Sequence, residues 1–118
     1  MKFRSLLSLA FALVATMLFA QDVSITFNLG TSNINVDAGG NYLAGGGNIG
    51  TPGDNEMPDD AGDGIYSITI TKEVGFSSFY TFANGNCPGF ECKESIAGQA
   101  CADPANFNDR FLPAVMND

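Results

Sequence analysis

The chain has 118 residues, with 13 acidic side chains against 5 basic ones, no histidine and no tryptophan. A chain of this length accommodates one small domain, and its acidic balance disfavours nucleic acids and anionic membranes, whose phosphates require basic side chains. Because histidine is absent and no serine lies in a Gly-x-Ser-x-Gly turn, the usual signatures of nucleophilic catalysis are missing, and the sequence predicts a protein that is not an enzyme.

The first twenty residues have the pattern of a secretory signal peptide. Lys2 and Arg4 precede an apolar run, residues 6–19, that is too short to span a bilayer. We expect cleavage after Ala20, where the chain becomes polar. The predicted product is a single domain, residues 21–118, that is secreted or held at the cell surface, with no membrane attachment of its own.

Removal of the signal peptide would leave three basic residues (Lys72, Lys93 and Arg110) against thirteen acidic ones, a net charge of −10. Nucleic acid is therefore excluded as an expected partner.

After residue 20, short segments of alternating apolar and polar residues are separated by turn-forming residues, which is typical of strands. The segments are 23–29, 41–44, 65–71, 76–83 and a last one that opens at Phe111 and Leu112. Between the second and third, residues 45–58 are rich in glycine and proline and predict a long exposed loop. No stretch beyond the signal peptide has helical periodicity over helical length. The pattern favours an all-β fold, a β-sandwich.

Three cysteines, Cys87, Cys92 and Cys101, lie close together in a chain predicted to be exported, where disulfides form readily. One bridge within this cluster is expected, and the odd cysteine would pair with another chain or with a partner outside this sequence. Zinc is the competing interpretation, but three cysteines without histidine leave the usual set of four ligands incomplete. Because no closing strand follows before Asp118, the domain is interpreted as truncated at its C-terminal end.

Four motifs in chain order carry a resemblance to a known family. They are Val23-x-Ile-x-Phe27, Tyr42-Leu-Ala-Gly-Gly, Met57-x-Asp-Asp-x-Gly-Asp-Gly-Ile-Tyr66 and Tyr80-x-Phe-x-Asn-Gly85. Together, over residues 22–86, they resemble the immunoglobulin-like, starch- and glycogen-binding-like modules of secreted bacterial proteins. The resemblance implies an immunoglobulin-like β-sandwich that binds a polysaccharide or oligosaccharide without catalysis, as part of or accessory to a glycan-active or cell-surface protein with further domains. Typical members carry tryptophans that stack on sugars, whereas this chain has none.

Sugar binding needs exposed aromatic faces beside groups that hydrogen-bond to hydroxyls. The candidate glycan-binding residues are Tyr42, Phe90, Asn106, Phe107, Asn108, Asp109 and Arg110. The alternative is that these aromatic side chains only pack in a small core.

Asp59, Asp60 and Asp63 form an acidic cluster whose oxygens are suitable ligands for calcium, with Asp54 or Glu56 as further donors. The spacing does not fit the helical calcium loop, so any site would be of another kind. The alternative is a solvated turn in which aspartate and glycine supply the backbone geometry. A calcium-binding cluster would suit a second function, a structural or adhesive β-sandwich spacer.

Overall fold

The computed structural model describes residues 21–118; the predicted signal peptide, residues 1–20, lies outside the described part. The strands in this part are β1 (Asp22–Gly30), β2 (Asn41–Ala44), β3 (Asn55–Met57), β4 (Ile65–Glu73), β5 (Phe76–Asn84) and β6 (Arg110–Val115). β1 and β4 form a two-stranded antiparallel sheet, and the second sheet has the order β3-β2-β5-β6. The predicted all-β class is confirmed.

The core lies between the two sheets. Alternation along β1 sends Val23, Ile25 and Phe27 to one face, and all three are buried. They cluster with Leu43 and Phe82 of the other sheet, together with a methionine at the end of β3. Burying side chains of this kind contributes roughly 1.5–3 kcal/mol each, so this face of β1 is a main source of stability.

A tight connection between β4 and β5 carries the chain from one sheet to the other. The N–H of Val74 donates to the carbonyl oxygen of Gln21 (2.8 Å), and the N–H of Gly75 donates to the carbonyl oxygen of Val115 (2.8 Å). Gly75 has a φ of 90°, a conformation that glycine adopts without steric cost. The connection is thus bonded to both sheets.

The segment 45–58, predicted as an exposed loop, contains regular structure, and that prediction is wrong in part. A single helical turn spans Gly46–Ile49, and β3 then pairs with β2. The Asn55 side chain donates to the carbonyl oxygen of Ile49 (3.0 Å) and joins the two elements. β3 owes its existence to pairing with β2 rather than to an alternating pattern of its own.

A disulfide joins Cys87 to Cys92, whose Cα atoms are 5.9 Å apart, so one bridge within the cysteine cluster is confirmed. Cys101 is exposed and is not bonded to another cysteine in the part of the chain described. Two short 3-10 helices lie in the same stretch, Phe90–Cys92 and Pro104–Asn106. Among the helices of residues 21–118, none is long and apolar enough to cross a membrane.

Candidate functional site

A cavity of about 540 Å³ opens beside β5, between the helical turn and the segment that joins β5 to β6. Its size is within the range of small-ligand sites. The lining residues are Gly45, Gly46 and Asn48 before and within the helical turn, Ser78, Phe79 and Thr81 of β5, and Phe90, Lys93, Phe107 and Asp109 from the segment between β5 and β6.

The helical turn on one side of the cavity is held in place from two directions. The ammonium group of Lys72, on β4, donates to the carbonyl oxygen of Asn48 (2.7 Å). At the start of the turn, a Cβ on Gly45 would lie only 2.9 Å from the carbonyl oxygen of Phe79, so only glycine allows this close approach to β5. This side of the cavity is therefore preformed.

Phe107 is the most prominent side chain of the site, because 86% of it is exposed. Both Phe107 (φ 57°) and Asn108 (φ 60°) lie in the left-handed region, which non-glycine residues seldom occupy. Strain of this kind persists only where surrounding contacts enforce it, and it clusters at functional sites.

The contacts that enforce this conformation come from the loop around Asp103. Its carboxylate accepts hydrogen bonds from the N–H of Ala105 (2.9 Å) and from the side chain of Asn106 (2.8 Å). Its backbone bonds to both Asn108 and Asp109 at 2.9 Å, which closes the loop. The loop thus holds the Phe107 ring out into solvent.

Charge in the cavity is balanced. The ammonium group of Lys93 pairs with the carboxylate of Asp109 and also donates to the carbonyl oxygen of Phe107. Both charged side chains are about one-fifth exposed. The cavity therefore presents a paired cation and anion beside two exposed aromatic rings, Phe90 and Phe107.

A second ion pair, formed by the residues next to Lys93 and Asp109 in sequence, connects elements around the cavity. The guanidinium of Arg110 donates to both carboxylate oxygens of Glu94 (2.8 and 2.7 Å), and this pairing raises the pKa of Arg110 despite its partial burial. Glu94 also accepts a hydrogen bond from the N–H of Phe82 (3.0 Å), over whose ring Arg110 lies. The pair joins β6 and the segment around Glu94 to β5.

Three of the predicted glycan-binding residues, Phe90, Phe107 and Asp109, line the cavity together. Asn108 lines a smaller adjoining cavity of about 240 Å³, which Phe107 and Lys93 also border. Phe107 thus stands between two cavities.

The other predicted residues lie apart from the cavity lining. The side chain of Asn106 bonds to Asp103, and that of Arg110 bonds to Glu94. Tyr42 is only 5% exposed, and its hydroxyl donates to the carbonyl oxygen of Gly39 (3.0 Å), so its ring offers no open face.

Sequence reasoning missed Lys93 and Glu94. The sequence contains a signal for both residues. Lys93-Glu94 is a basic residue followed by an acidic one, and Asp109-Arg110, which supplies the ion-pair partners, is an acidic residue followed by a basic one. Two dipeptides of complementary charge flanking a cysteine-containing loop indicate that the ends of the loop meet.

The acidic segment 59–63 is a hydrogen-bonded turn. The carboxylate of Asp59 accepts from the N–H groups of Asp63 (3.2 Å) and Gly64 (3.0 Å), and that of Asp63 accepts from Ile65 (3.0 Å). Within residues 21–118, neither Asp59, Asp60 and Asp63 nor any other group of three or more potential ligands is arranged to hold a metal ion. The geometry matches the turn alternative considered from the sequence.

Comparisons with known protein families, with curated proteins and with solved structures found no match to this chain.

Proposed function

We propose that this protein is an exported, non-catalytic carbohydrate-binding module with an immunoglobulin-like β-sandwich fold, secreted or at the cell surface. The observation that carries the proposal is the Phe107 ring, held almost fully exposed between two cavities by a strained and closed loop. Phe107 shares its cavity with the half-exposed ring of Phe90, and exposed apolar surface rimmed by polar groups is typical of ligand-binding grooves.

The chemistry around this ring suits a sugar. Aromatic faces pack against the C–H groups of a pyranose, and Phe90 supplies a second half-exposed ring at the same cavity. Asn48, Ser78 and the Lys93–Asp109 pair offer both donors and acceptors for hydroxyl groups. Phe107 would pack between successive sugar units of a chain that lies across both cavities.

The resemblance of four motifs to those of starch- and glycogen-binding-like modules supports the same function, with the aromatic role taken by phenylalanine rather than tryptophan. Such a module serves a larger glycan-active or cell-surface protein by keeping it on its polysaccharide.

The test is affinity electrophoresis of the exported protein, prepared under oxidising conditions, in gels containing starch, glycogen, laminarin or xylan. We expect retardation by at least one polymer and its loss in Phe107→Ala. Because the ring is exposed, this substitution should leave the unfolding midpoint unchanged. Ile65→Ala, which removes an exposed apolar side chain on the other sheet, is the matched control and should bind like the original protein.

Folded protein that migrates alike in every gel would contradict the proposal and favour the structural spacer. Retardation that survives in Phe107→Ala would show that the sugar binds elsewhere.

A further inference from the structure

The edge of β1 that faces away from β4 carries backbone groups with no strand beside them. β1 belongs to a sheet of only two strands, and within residues 21–118 no strand pairs with its second edge. An open edge of this kind is a template for pairing with another strand.

Hydrogen bonds that flank the β1–β4 ladder fix which backbone groups point to the open edge. The N–H of Val74 donates to the carbonyl oxygen of Gln21, and that of Thr31 donates to the carbonyl oxygen of Gly64. Each bond joins two residues that stand directly opposite each other when the register of the ladder is continued. The residues on the β1 side of these bonds, Gln21 and Thr31, are odd-numbered. Because bonded and non-bonded pairs alternate in antiparallel sheets, the even-numbered residues of β1 direct their N–H and C=O groups away from β4.

The even-numbered residues at the centre of β1 are Ser24, Thr26 and Asn28. The direction of their backbone groups is confirmed at Ser24, whose N–H donates to the side chain of Asp118 (2.6 Å) on the open side. Their side chains are neutral, the register is continuous, and β1 contains no lysine or proline to discourage pairing.

The strand is also complementary to itself. Thr26 is the middle residue of Asp22–Gly30, so antiparallel pairing with an identical strand centred there places Asp22 opposite Gly30 and Ser24 opposite Asn28. No like charges meet in this arrangement. Pairing of Ser24 with Asn28 of the second copy requires the side chain of Asp118 to release the N–H of Ser24.

We propose that β1 pairs antiparallel with β1 of a second copy of this chain, with the two-fold axis at Thr26. The two-stranded sheets of the copies then form one sheet of order β4-β1-β1-β4. The proposal is independent of glycan binding, although a dimer would carry two glycan cavities and gain avidity on a polymer. Since each exported chain is strongly acidic, the copies repel each other at long range, and salt should strengthen the dimer by screening.

The experiment is sedimentation equilibrium of the exported protein in low and high salt, in a Cys101→Ser background that excludes dimers linked by a disulfide. We expect a concentration-dependent dimer. Thr26→Pro, which removes an N–H pointing to the open edge, should raise the dimer dissociation constant at least about tenfold, since two symmetric hydrogen bonds are lost. Thr26→Ala keeps the N–H and should dimerise like the parent.

Amide hydrogen exchange of the unsubstituted strand provides a second measurement that needs no proline variant. Exchange at Thr26 and Asn28 should slow as protein concentration rises, whereas Ile25 and Phe27, bonded to β4, should be protected throughout. A monomer at every concentration, a dimer unaffected by Thr26→Pro, exchange at Thr26 that ignores concentration, or protection of these amides only by a different protein would each overturn the proposal.

Discussion

At the scale of single residues, Phe107 shows how far the sequence predicts the site. The sequence leaves two interpretations of this residue open, a sugar-binding face and a ring packed in the core, and the ring is 86% exposed in the structure. The left-handed conformations of Phe107 and Asn108 carry no sequence signal, because phenylalanine rarely adopts them and the bonds that enforce them come from Asp103. Tyr42 is also a candidate glycan-binding residue in the sequence, but its side chain is buried. Its burial depends on the surrounding loops, which the alternating pattern of a strand does not locate.

Tyr80 provides a pH-dependent prediction. Burial raises the pKa of its phenol above the ordinary value near 10, although the nearby Arg110 acts in the opposite direction. A raised pKa in the folded state means that folding favours the neutral phenol. Its contribution to stability is therefore complete below about pH 10, the pKa of the unfolded chain, and is lost as pH rises from there through the folded pKa.

We expect the free energy of unfolding of the original protein to fall more steeply than that of Tyr80→Phe as the pH rises above about 10. Urea unfolding of both proteins measures this, in a Cys101→Ser background that prevents thiolate attack on the disulfide. Parallel pH profiles would show that the phenol does not contribute.

At the scale of elements, pattern-based prediction succeeds where a strand has one buried face and fails where pairing alone defines it. The alternation of β1 indicates both the strand and its buried residues. β3 has only three residues, between a bend and a proline, and no pattern of that length is informative. The partners in the ion pairs Lys93–Asp109 and Glu94–Arg110 are sixteen residues apart in sequence. Their pairing depends on where β6 begins, so a local pattern does not predict it.

The segment between β5 and β6 yields a prediction about the disulfide. Cys87 and Cys92 close a small loop that contains Phe90, one of the cavity-lining rings. Replacing both cysteines by serine should lower the free energy of unfolding by about 2 kcal/mol, as expected for a short closed loop. It should also weaken polysaccharide binding, because Phe90 would lose its fixed position.

Urea unfolding and affinity electrophoresis measure the two effects. Cys101→Ser is the matched control, since it removes an exposed thiol and leaves the bridge intact. Unchanged stability in the double variant would mean that the segment is held by its ion pairs alone.

At the scale of the whole molecule, net charge yields a prediction about which polysaccharides the proposed module binds. Residues 21–118 carry a net charge of −10, and Lys93 is already paired with Asp109, so this part of the chain has little to attract an acidic polymer. We therefore expect neutral polysaccharides to retard the protein and alginate to leave its mobility unchanged. Affinity electrophoresis in low and high salt checks this. High salt screens the repulsion between the acidic protein and alginate, so retardation that appears only in high salt would show that the cavity itself accepts uronic acids. Retardation by alginate alone would contradict the expectation.

Residues 21 and 118 both lie beside the start of β1. Gln21 bonds to the connection between β4 and β5, and the side chain of Asp118 accepts the N–H of Ser24. A segment whose first and last residues lie close together can be inserted into a surface loop of an unrelated host protein without separating the two sides of that loop. Residues 21–118 are thus suited to insertion as one unit, and a host enzyme that received them would carry the cavity beside Phe107 while its own termini stayed available for other fusions.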